Sequence, residues 1–427
     1  MIFLTDLYLS GPRVLNPARG TDSIADILIR DGKVVFPAAG DVPPGCEMMD
    51  CRGLWAMPGL VDMHVHLRTP GNTGAETLES GLRAALAGGV TTVGLMPNTN
   101  PPIDDPELAE KILRAVDNLK LAAAIPVPCV TVGGAGGPLT DLEAFASLGI
   151  KAFSDDGHPV VPDGSFREAC ERIAAFGGVL IEHPEDTTLA AGGVVNLGPV
   201  STALGVPGLS EESEWSDAAR CVSLLEGTGA RLHLTHLSSP ESVRIASQAA
   251  AKGLSVTCDV TPHHLALNHH IVQALGTAAK MNPPLRSEES RRELVSMCAQ
   301  GLVGVVASDH APHTRESKDR PLHQAAFGVT GLETLLPVTM GVLSGEGGMS
   351  PLAVAAMLSI APAAVLGIEM PDLRRETCDS LVLYDPGEEW VYQGGYSLSR
   401  NTPFLGTRLT GRVVMTLFRG RRIIGLS

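Results

Sequence analysis

The chain has 427 residues, 44% of them hydrophobic and only 4% aromatic, which is enough apolar material for a large core of Ala, Val, Leu and Ile. The net charge of −15, with scattered arginines and lysines, argues against nucleic acid or an anionic membrane as a partner. No apolar run reaches the ~20 residues needed to span a bilayer. The eight cysteines include no C-x-x-C pair, so we expect free thiols in a cytoplasmic protein.

The two ends of the chain, residues 1–54 and 365–427, are both predicted to be short strands joined by turns. Asp31-Gly32 lies between two such runs and is a strong signal for a β-hairpin. Neither end can form a core alone, so we expect the two ends to pair into one small β-sandwich. The predicted strands of these ends lie at residues 2–4, 25–29, 33–35, 380–384, 413–418 and 421–424.

Residues 55–364 are predicted to form the central domain. Apolar strand-like runs alternate there with helical stretches, and roughly eight β-then-α units predict a closed (β/α)8 TIM barrel. A doubly wound open sheet is the alternative. The predicted strands end near His66, Met96, Val130, Phe153, Glu182, Thr235, Asp259 and Ser308. The predicted helices span 76–88, 106–120, 140–148, 165–177, 214–228, 239–252 and 288–300.

The first of these barrel strands carries an H-x-H pair at its end. Side chains alternate along a strand, so His64 and His66 project to the same face, where Arg68 follows as an anion-binding group. The apolar run 54–61 before them predicts a strand buried on both faces. Two buried histidines bonded to backbone carbonyls would be the structural alternative, but further candidate ligands downstream favour a metal site.

Those downstream candidates are polar residues at the ends of later predicted strands. A barrel brings the carboxyl ends of its strands to one face, so we expect four histidines and two carboxylates to meet there. Imidazole and carboxylate without thiolate suit Zn²⁺, with Mn²⁺, Co²⁺ or Fe²⁺ as alternatives. Six ligands are too many for one tetrahedral ion and suit two ions bridged by a carboxylate. The candidate segments are 96–99, 152–157, 181–186, 233–239 and 307–313.

These motifs resemble those of the amidohydrolase superfamily, and most closely those of the bacterial type of dihydroorotase that carries F-[ST]-D-D-G. The resemblance covers nearly the whole chain. Its motifs are H-V-H-L-R from His64, M-P-N-T-N-P-P from Met96, F-S-D-D-G from Phe153, H-P-E-D from His183, V-T-P-H-H from Val260, K-M-N-P-P-L-R from Lys280, D-H-A-P-H-T from Asp309, A-F-G from Ala326, G-L-E-T from Gly331 and N-T-P from Asn401.

The resemblance implies one or two Zn²⁺ ions per subunit, with two favoured. Many relatives bridge their ions with a carboxylated lysine, and Lys151 lies where such a lysine could be; the D-D-G motif favours Asp156 instead. The implied ligands are His64, His66 and Asp309 on one ion, His183 and His236 on the other, and Asp156 as the bridge.

The resemblance also implies a group of substrate-binding residues beside the metal ligands. A guanidinium there can grip a carboxylate through two parallel hydrogen bonds. The usual E-K after the D-H-A-P-H-T motif is replaced by Glu316-Ser317-Lys318, a loop difference without evident catalytic meaning. The implied contacts are Arg68, Asn98 and His313 with the substrate carboxylate, and Asn282 with the Phe327 and Gly328 backbone at the ring amides.

The implied activity is that of a dihydroorotase, which reversibly closes N-carbamoyl-L-aspartate to L-dihydroorotate in the third step of pyrimidine biosynthesis. In hydrolysis a metal-bound hydroxide attacks the ring amide, with Asp309 as general base and then acid. The alternatives are an allantoinase or hydantoinase, which needs no carboxylate-binding Arg68 and Asn98, and a non-catalytic scaffold for aspartate transcarbamoylase, which is expected to lack the ligands. We expect a homodimer that acts on a small molecule, and some bacterial dihydroorotases of this type associate with aspartate transcarbamoylase.

Overall fold

Strands and helices alternate through the middle of the chain in a computed structural model that describes residues 6–38, 41–424 and 426. The strands are β1 (Leu7–Ser10), β2 (Arg13–Asn16), β3 (Thr21–Ile24), β4 (Ile27–Arg30), β5 (Lys33–Val35), β6 (Glu47–Asp50), β7 (Trp55–Met57), β8 (Leu60–Val65), β9 (Val90–Leu95), β10 (Ala123–Pro126), β11 (Ala152–Phe153), β12 (Val179–Glu182), β13 (Val195–Asn196), β14 (Gly208–Leu209), β15 (Arg231–Leu234), β16 (Ser255–Val260), β17 (Val305–Val306), β18 (Ser380–Val391), β19 (Arg408–Phe418) and β20 (Arg421–Ile424).

The α-helices cluster between β8 and β18. They are α1 (Leu78–Ala87), α2 (Pro106–Leu119), α3 (Leu142–Ser147), α4 (Asp163–Ala175), α5 (Thr187–Ala190), α6 (Pro199–Leu204), α7 (Glu212–Leu225), α8 (Pro240–Ala251), α9 (Pro262–Ala266), α10 (Ile271–Leu275), α11 (Glu288–Ala299), α12 (Arg315–Lys318), α13 (Leu335–Met340), α14 (Pro351–Met357) and α15 (Ile360–Leu366). Within the described ranges, no helix is long and apolar enough to cross a membrane.

Eight parallel strands form the predicted (β/α)8 barrel. Hydrogen bonding joins β8 to β9 and β10, and joins β11 in turn to β12, β15, β16 and β17. The two groups close on each other where Ser154 N donates to Pro128 O at 3.0 Å and His66 N donates to His310 O at 2.8 Å. The fold class predicted from the sequence is confirmed, and the open-sheet alternative is wrong.

The strands end within two residues of the predicted positions, with one exception. The third barrel strand ends at Pro126 rather than near Val130. Pro128 has no backbone N–H to donate, so the ladder cannot continue through it. The prediction for this strand end is therefore wrong by four residues, because apolar character alone does not show where a proline ends the ladder.

The predicted helices are present, and five of the seven begin at a side-chain cap, α4 and α7 being the exceptions. Thr77, Asp105 and Ser239 each accept a hydrogen bond from a backbone N–H in the first turn of the helix that follows. Proline follows Asp105 and Ser239 at the first helical position, where no donor is needed. Among the helices that the sequence did not predict, α13 lacks an amphipathic period, because Leu335–Met340 is buried on every side.

The two ends of the chain form the predicted β-sandwich. One sheet has the order β5-β4-β1-β6, and the other has the order β20-β19-β18-β7-β2-β3 and so combines both ends. Leu9, Ile27, Leu381 and Leu417 are buried in the shared core. The Asp31-Gly32 turn joins β4 to β5. Of the predicted strands, residues 2–4 lie outside the described residues.

One predicted strand is two strands. Trp55–Met57 pairs with β18 and β2 in the sandwich, and the barrel strand begins at Leu60. Pro58-Gly59 separates them, so the prediction of one continuous strand through 54–61 is wrong. The division into 1–54, 55–364 and 365–427 stays a prediction, and the sheet pairing favours a first boundary at Pro58-Gly59.

Candidate active site

Six predicted metal ligands lie together at the carboxyl ends of the barrel strands. Each is buried, with between 0% and 6% of its surface exposed. They come from five different strands or the loops that follow, which is the arrangement a barrel imposes on strand-end residues. The six are His64 and His66 on β8 and after it, Asp156 after β11, His183 after β12, His236 after β15 and Asp309 after β17.

One group of ligand atoms forms around Asp309. Its Oδ1 lies 3.2 Å from His66 Nε2 and 3.6 Å from His64 Nε2. The potential ligand atoms of these three residues all lie within 4.8 Å of one another. The three side chains therefore point at a common space that one cation could fill.

Asp156 lies between this group and the second pair of histidines. Its Oδ1 is 3.3 Å from His64 Nε2, 3.5 Å from His236 Nε2 and 3.8 Å from His183 Nδ1. Its other oxygen, Oδ2, is 3.6 Å from His66 Nε2. Asp156 therefore faces the first group through both of its oxygens and the second pair of histidines through Oδ1, a position from which its carboxylate could bridge two ions.

The residues fit a divalent cation by their donor chemistry. His64 Nε2 and Asp156 Oδ1 are buried and lack a hydrogen-bond partner among the described residues, although each faces other potential ligands. Unpartnered buried polar atoms are costly, and a bound cation would satisfy both. Neutral imidazoles with carboxylates and no thiolate suit Zn²⁺.

The charges in the cluster depend on one another. Burial alone would lower the pKa of His64 and of His183, but the Asp156 carboxylate outweighs it and raises the pKa values to about 9 and about 10. Burial would raise the pKa of Asp156, but the histidines around it hold that pKa well below its ordinary value. The ionised carboxylate thus draws positive charge into the site, which a metal would supply in place of protons.

Contacts behind the ligands fix which ring nitrogen faces the cluster. His66 Nδ1 lies 2.7 Å from Asn98 Oδ1, which leaves Nε2 toward Asp309. His183 is turned the other way: its Nδ1 faces His236 and Asp156, while its Nε2 lies 3.8 Å from Glu185 Oε2. Such outer contacts orient metal-binding histidines and set their tautomers. Glu185 was not singled out from the sequence.

The predicted carboxylate-binding residues lie beside the metal ligands. Arg68 Nη2 is 3.3 Å from His313 Nε2, and Arg68 Nη1 donates to Asn98 Oδ1 at 3.5 Å. Burial and the Arg68 charge lower the pKa of His313 to about 3, so this imidazole is neutral at physiological pH. A neutral imidazole can still donate a hydrogen bond to an anion held by Arg68.

The predicted ring-binding residues face the same space from the other side. Asn282 Nδ2 donates to Glu185 Oε2 at 2.8 Å, and Phe327 is 36% exposed at the rim. Of the twelve predicted site residues, all but His64 and His313 line one cavity of about 180 Å³. His64 lies buried beneath it, and His313 contacts Arg68 from a neighbouring cavity.

Two lysines that sequence analysis left without a role support the Phe327-Gly328 segment. Lys318 Nζ donates to the backbone oxygens of Lys280, Ala326 and Gly328 at 2.9 to 3.1 Å. Lys280 Nζ lies 4.0 Å from the centre of the Phe327 ring. Lys318, in the loop that departs from the usual E-K, thus supports this segment through its hydrogen bonds to Ala326 O and Gly328 O.

Asn401 connects the segment that carries His313 to the Phe327-Gly328 segment, on the two sides of the predicted substrate-binding region. Its Oδ1 accepts from His313 N at 3.0 Å, and its Nδ2 donates to Ala311 O at 2.9 Å and to Gly328 O at 3.0 Å. Its N-T-P motif was noted in the sequence, but the spatial role depends on a segment nearly ninety positions away in the chain.

Lys151, the alternative bridging ligand, lies elsewhere. It is exposed at the start of β11, at the end of the barrel strand opposite to Asp156. Its side chain packs near Gly367. We therefore expect Lys151→Ala to keep the wild-type metal content and most activity, whereas Asp156→Ala loses at least one ion. Metal analysis of both purified variants checks this, and loss of metal from Lys151→Ala would restore the carboxylated lysine as the bridge.

Comparisons of the sequence with known proteins point to one family of relatives. Residues 53–242 match a family model described as dihydro-orotase-like. The chain is 38% identical over 419 residues to a dihydroorotase of Geobacter sp. (strain M21), covering 97% of this chain and 98% of that protein. It is 40% identical over 420 residues to the dihydroorotase of Anaeromyxobacter dehalogenans (strain 2CP-1), covering 97% of each.

Solved structures share the fold. The L-hydantoinase (dihydropyrimidinase) of Arthrobacter aurescens superposes with a TM-score of 0.86 at 26% identity, covering 99% of this chain and 96% of that one. A D-hydantoinase of Thermus sp. has a TM-score of 0.82 at 20% identity, covering 98% and 95%. These matches extend over the barrel and the sandwich together.

Proposed function

The chain belongs to the dihydroorotase family, and from that premise we propose that it catalyses the reversible cyclisation of N-carbamoyl-L-aspartate to L-dihydroorotate and water. It is a metal-dependent cyclic amidohydrolase, like its relatives. The observation that carries the choice of substrate is the Arg68, Asn98 and His313 group beside the proposed metal ligands. Arg68 and Asn98 line the cavity, and His313 contacts Arg68 from the neighbouring one.

We propose Zn²⁺ as the metal, with two ions held by the six residues described above. Bound there, the ions would supply a nucleophilic hydroxide at neutral pH and polarise the carbonyl of the substrate amide. The two groups of potential ligand atoms, His64 with His66 and Asp309 and His64 with Asp156 and His236, together hold more ligands than one tetrahedral ion takes, which supports two ions rather than one.

Asp309 is proposed as the group that moves the proton. Burial would raise its pKa, but His66 and His64 hold the pKa well below the ordinary value, so the carboxylate is ionised at neutral pH. In hydrolysis it accepts the proton of the attacking water and returns it to the leaving ring nitrogen. In cyclisation it removes the proton from the carbamoyl nitrogen.

The other residues position the substrate. The Arg68 guanidinium is proposed to bind the substrate carboxylate through two hydrogen bonds, with the neutral His313 imidazole and the Asn98 amide beside it. Asn282 and the Phe327-Gly328 backbone are proposed to contact the ring amides from the other wall. These contacts would hold the reacting carbonyl beside Asp309 and the other proposed metal ligands.

Two other functions fit less well. Hydantoinases share the fold, but hydantoin carries no carboxylate that would require the Arg68 group. A non-catalytic scaffold for aspartate transcarbamoylase would not need its six metal ligands, which are all present and close together.

Arg68→Lys tests the choice of substrate. Lysine keeps the charge but loses the bidentate geometry, so we expect kcat/KM for dihydroorotate to fall about 10- to 100-fold, mainly through KM, with metal content unchanged. The exposed Arg83→Lys is the matched control. Wild-type enzyme should turn over dihydrouracil, the same ring without the carboxylate, far more slowly than dihydroorotate. Equal turnover of the two, or normal kinetics in Arg68→Lys, would refute the carboxylate assignment.

We also propose that the enzyme is a cytoplasmic homodimer that acts on a small molecule and associates with aspartate transcarbamoylase. All eight cysteines are free, which suits a reducing compartment. The homodimer and the association rest on the family resemblance, and light scattering of the purified protein with and without the transcarbamoylase measures both.

A further inference from the structure

A buried carboxylate outside the metal-ligand set lies directly behind the site. Asp259 is fully buried on β16 and accepts three hydrogen bonds. Its Oδ2 contacts Thr235 Oγ1 and His233 Nε2, each at 2.8 Å, and its Oδ1 accepts from His236 N at 2.8 Å. Two of these three partners lead to proposed metal ligands.

The first connection runs through Thr235 to His64. Thr235 Oγ1 lies 2.9 Å from His64 Nδ1. A hydroxyl has one hydrogen, and Thr235 donates it to the carboxylate, which can only accept. The oxygen of Thr235 must therefore accept from His64 Nδ1–H. This fixes the tautomer of His64 and leaves the lone pair of Nε2 directed toward Asp156 and Asp309.

The second connection is to the backbone of His236. This residue has a φ of 40°, a backbone conformation that residues other than glycine rarely adopt. The bond from His236 N to Asp259 Oδ1 holds the backbone in that conformation, from which Nε2 reaches Asp156.

We propose that Asp259 is a positioning residue that orients one ligand in each of the two metal-binding groups, His64 through the Thr235 hydroxyl and His236 through its backbone N–H. The proposal rests on the proposed metal site and adds a residue outside the ligand set. It implies that metal affinity depends on a side chain that touches neither metal nor substrate.

Two variants separate the connections. Thr235→Val is nearly isosteric and removes the hydroxyl that accepts from His64 and donates to Asp259, while the bond from His236 N to Asp259 stays in place. Asp259→Asn affects both connections, because it places an amide donor against groups that are already donors. Thr257→Val is the matched control. Thr257 is an exposed residue whose Oγ1 lies 2.8 Å from His233 Nδ1, on the side of His233 that faces away from Asp259.

The measurement is the Zn²⁺ affinity of each variant by competition with a chelator, with the Tm of the metal-free protein recorded alongside. We expect Asp259→Asn and Thr235→Val to bind Zn²⁺ about 10- to 100-fold more weakly, with Thr257→Val like the wild type. The metal-free Tm of Thr235→Val should stay close to that of the wild type, so the loss is not one of folding.

A His64→Ala variant measured in parallel tests the metal site separately from the positioning role of Asp259. If His64→Ala loses Zn²⁺ while Asp259→Asn and Thr235→Val bind it normally, the positioning role is refuted and the metal site stands. If His64→Ala also binds Zn²⁺ normally, both are refuted. If Asp259→Asn does not fold, Thr235→Val alone decides the connection to His64.

Discussion

Replacing Asp309 with asparagine is expected to lower turnover by at least the ~10²–10⁴-fold typical of a lost general acid–base, with the fold and much of the metal retained. Asparagine preserves the shape and still offers an oxygen toward His66, but it cannot accept a proton. Steady-state kinetics and metal analysis on the same sample measure both effects. Asp319→Asn, at an exposed ion pair with Arg315, is the control and should be indistinguishable from the wild type.

The pH profile of hydrolysis should change with this substitution. We expect the wild-type rate to rise with pH through one ionisation, because loss of a proton generates the basic form of the reacting unit. The pKa of Asp309 is held well below its ordinary value, so that ionisation belongs to the coupled water and ligand cluster and not to Asp309 alone.

Near-normal turnover in Asp309→Asn with an unchanged pH profile would mean that another group moves the proton. His310 is a poor candidate, because its Nδ1 accepts from Gly331 N and its Nε2 faces Glu76, away from the ligands. His313, which contacts Arg68 at the substrate end, would be the next residue to test.

His64→Ala and His183→Ala are each expected to lower bound metal and activity together. The two histidines belong to different strand ends, and each lies within 4 Å of Asp156 Oδ1, at 3.3 Å for His64 and 3.8 Å for His183. Loss of an outer contact typically weakens metal affinity or activity about 10- to 100-fold. Loss of a direct ligand should weaken them by at least that much. Metal content and kcat are measured on one preparation of each variant.

The control for these two variants is His270→Ala, which removes an exposed histidine outside the site. It should leave both quantities unchanged. Full metal content with full activity in His64→Ala or His183→Ala would remove that histidine from the site, whatever the other variant shows.

The sequence was sufficient to predict the barrel and the convergence of the six proposed ligands, for a geometric reason. Strand-end residues in a barrel must lie near one another, so His64 and Asp309 could be brought together although they are far apart in the chain. The same reasoning failed for Trp55–Met57, because one apolar run supplies a strand to each of two sheets. Hydrophobicity alone does not show which sheet a strand joins.

The contacts behind the site could not be predicted in the same way. Asp259 reads as an ordinary acidic residue within a strand until the structure places Thr235 and His236 against it. Lys318 reads as a loop lysine until its ammonium group is seen among backbone oxygens. Both depend on tertiary contacts between segments that have no local pattern in common.

The most direct test of the account is metal analysis of protein purified without chelator, paired with the cyclisation of N-carbamoyl-L-aspartate. We expect about two zinc equivalents per subunit, cyclisation that is lost when the metal is removed, and recovery of the activity when Zn²⁺ is returned. Full cyclisation by metal-free protein would contradict the account. So would metal-replete protein that opens hydantoin but neither closes N-carbamoyl-L-aspartate nor opens dihydroorotate.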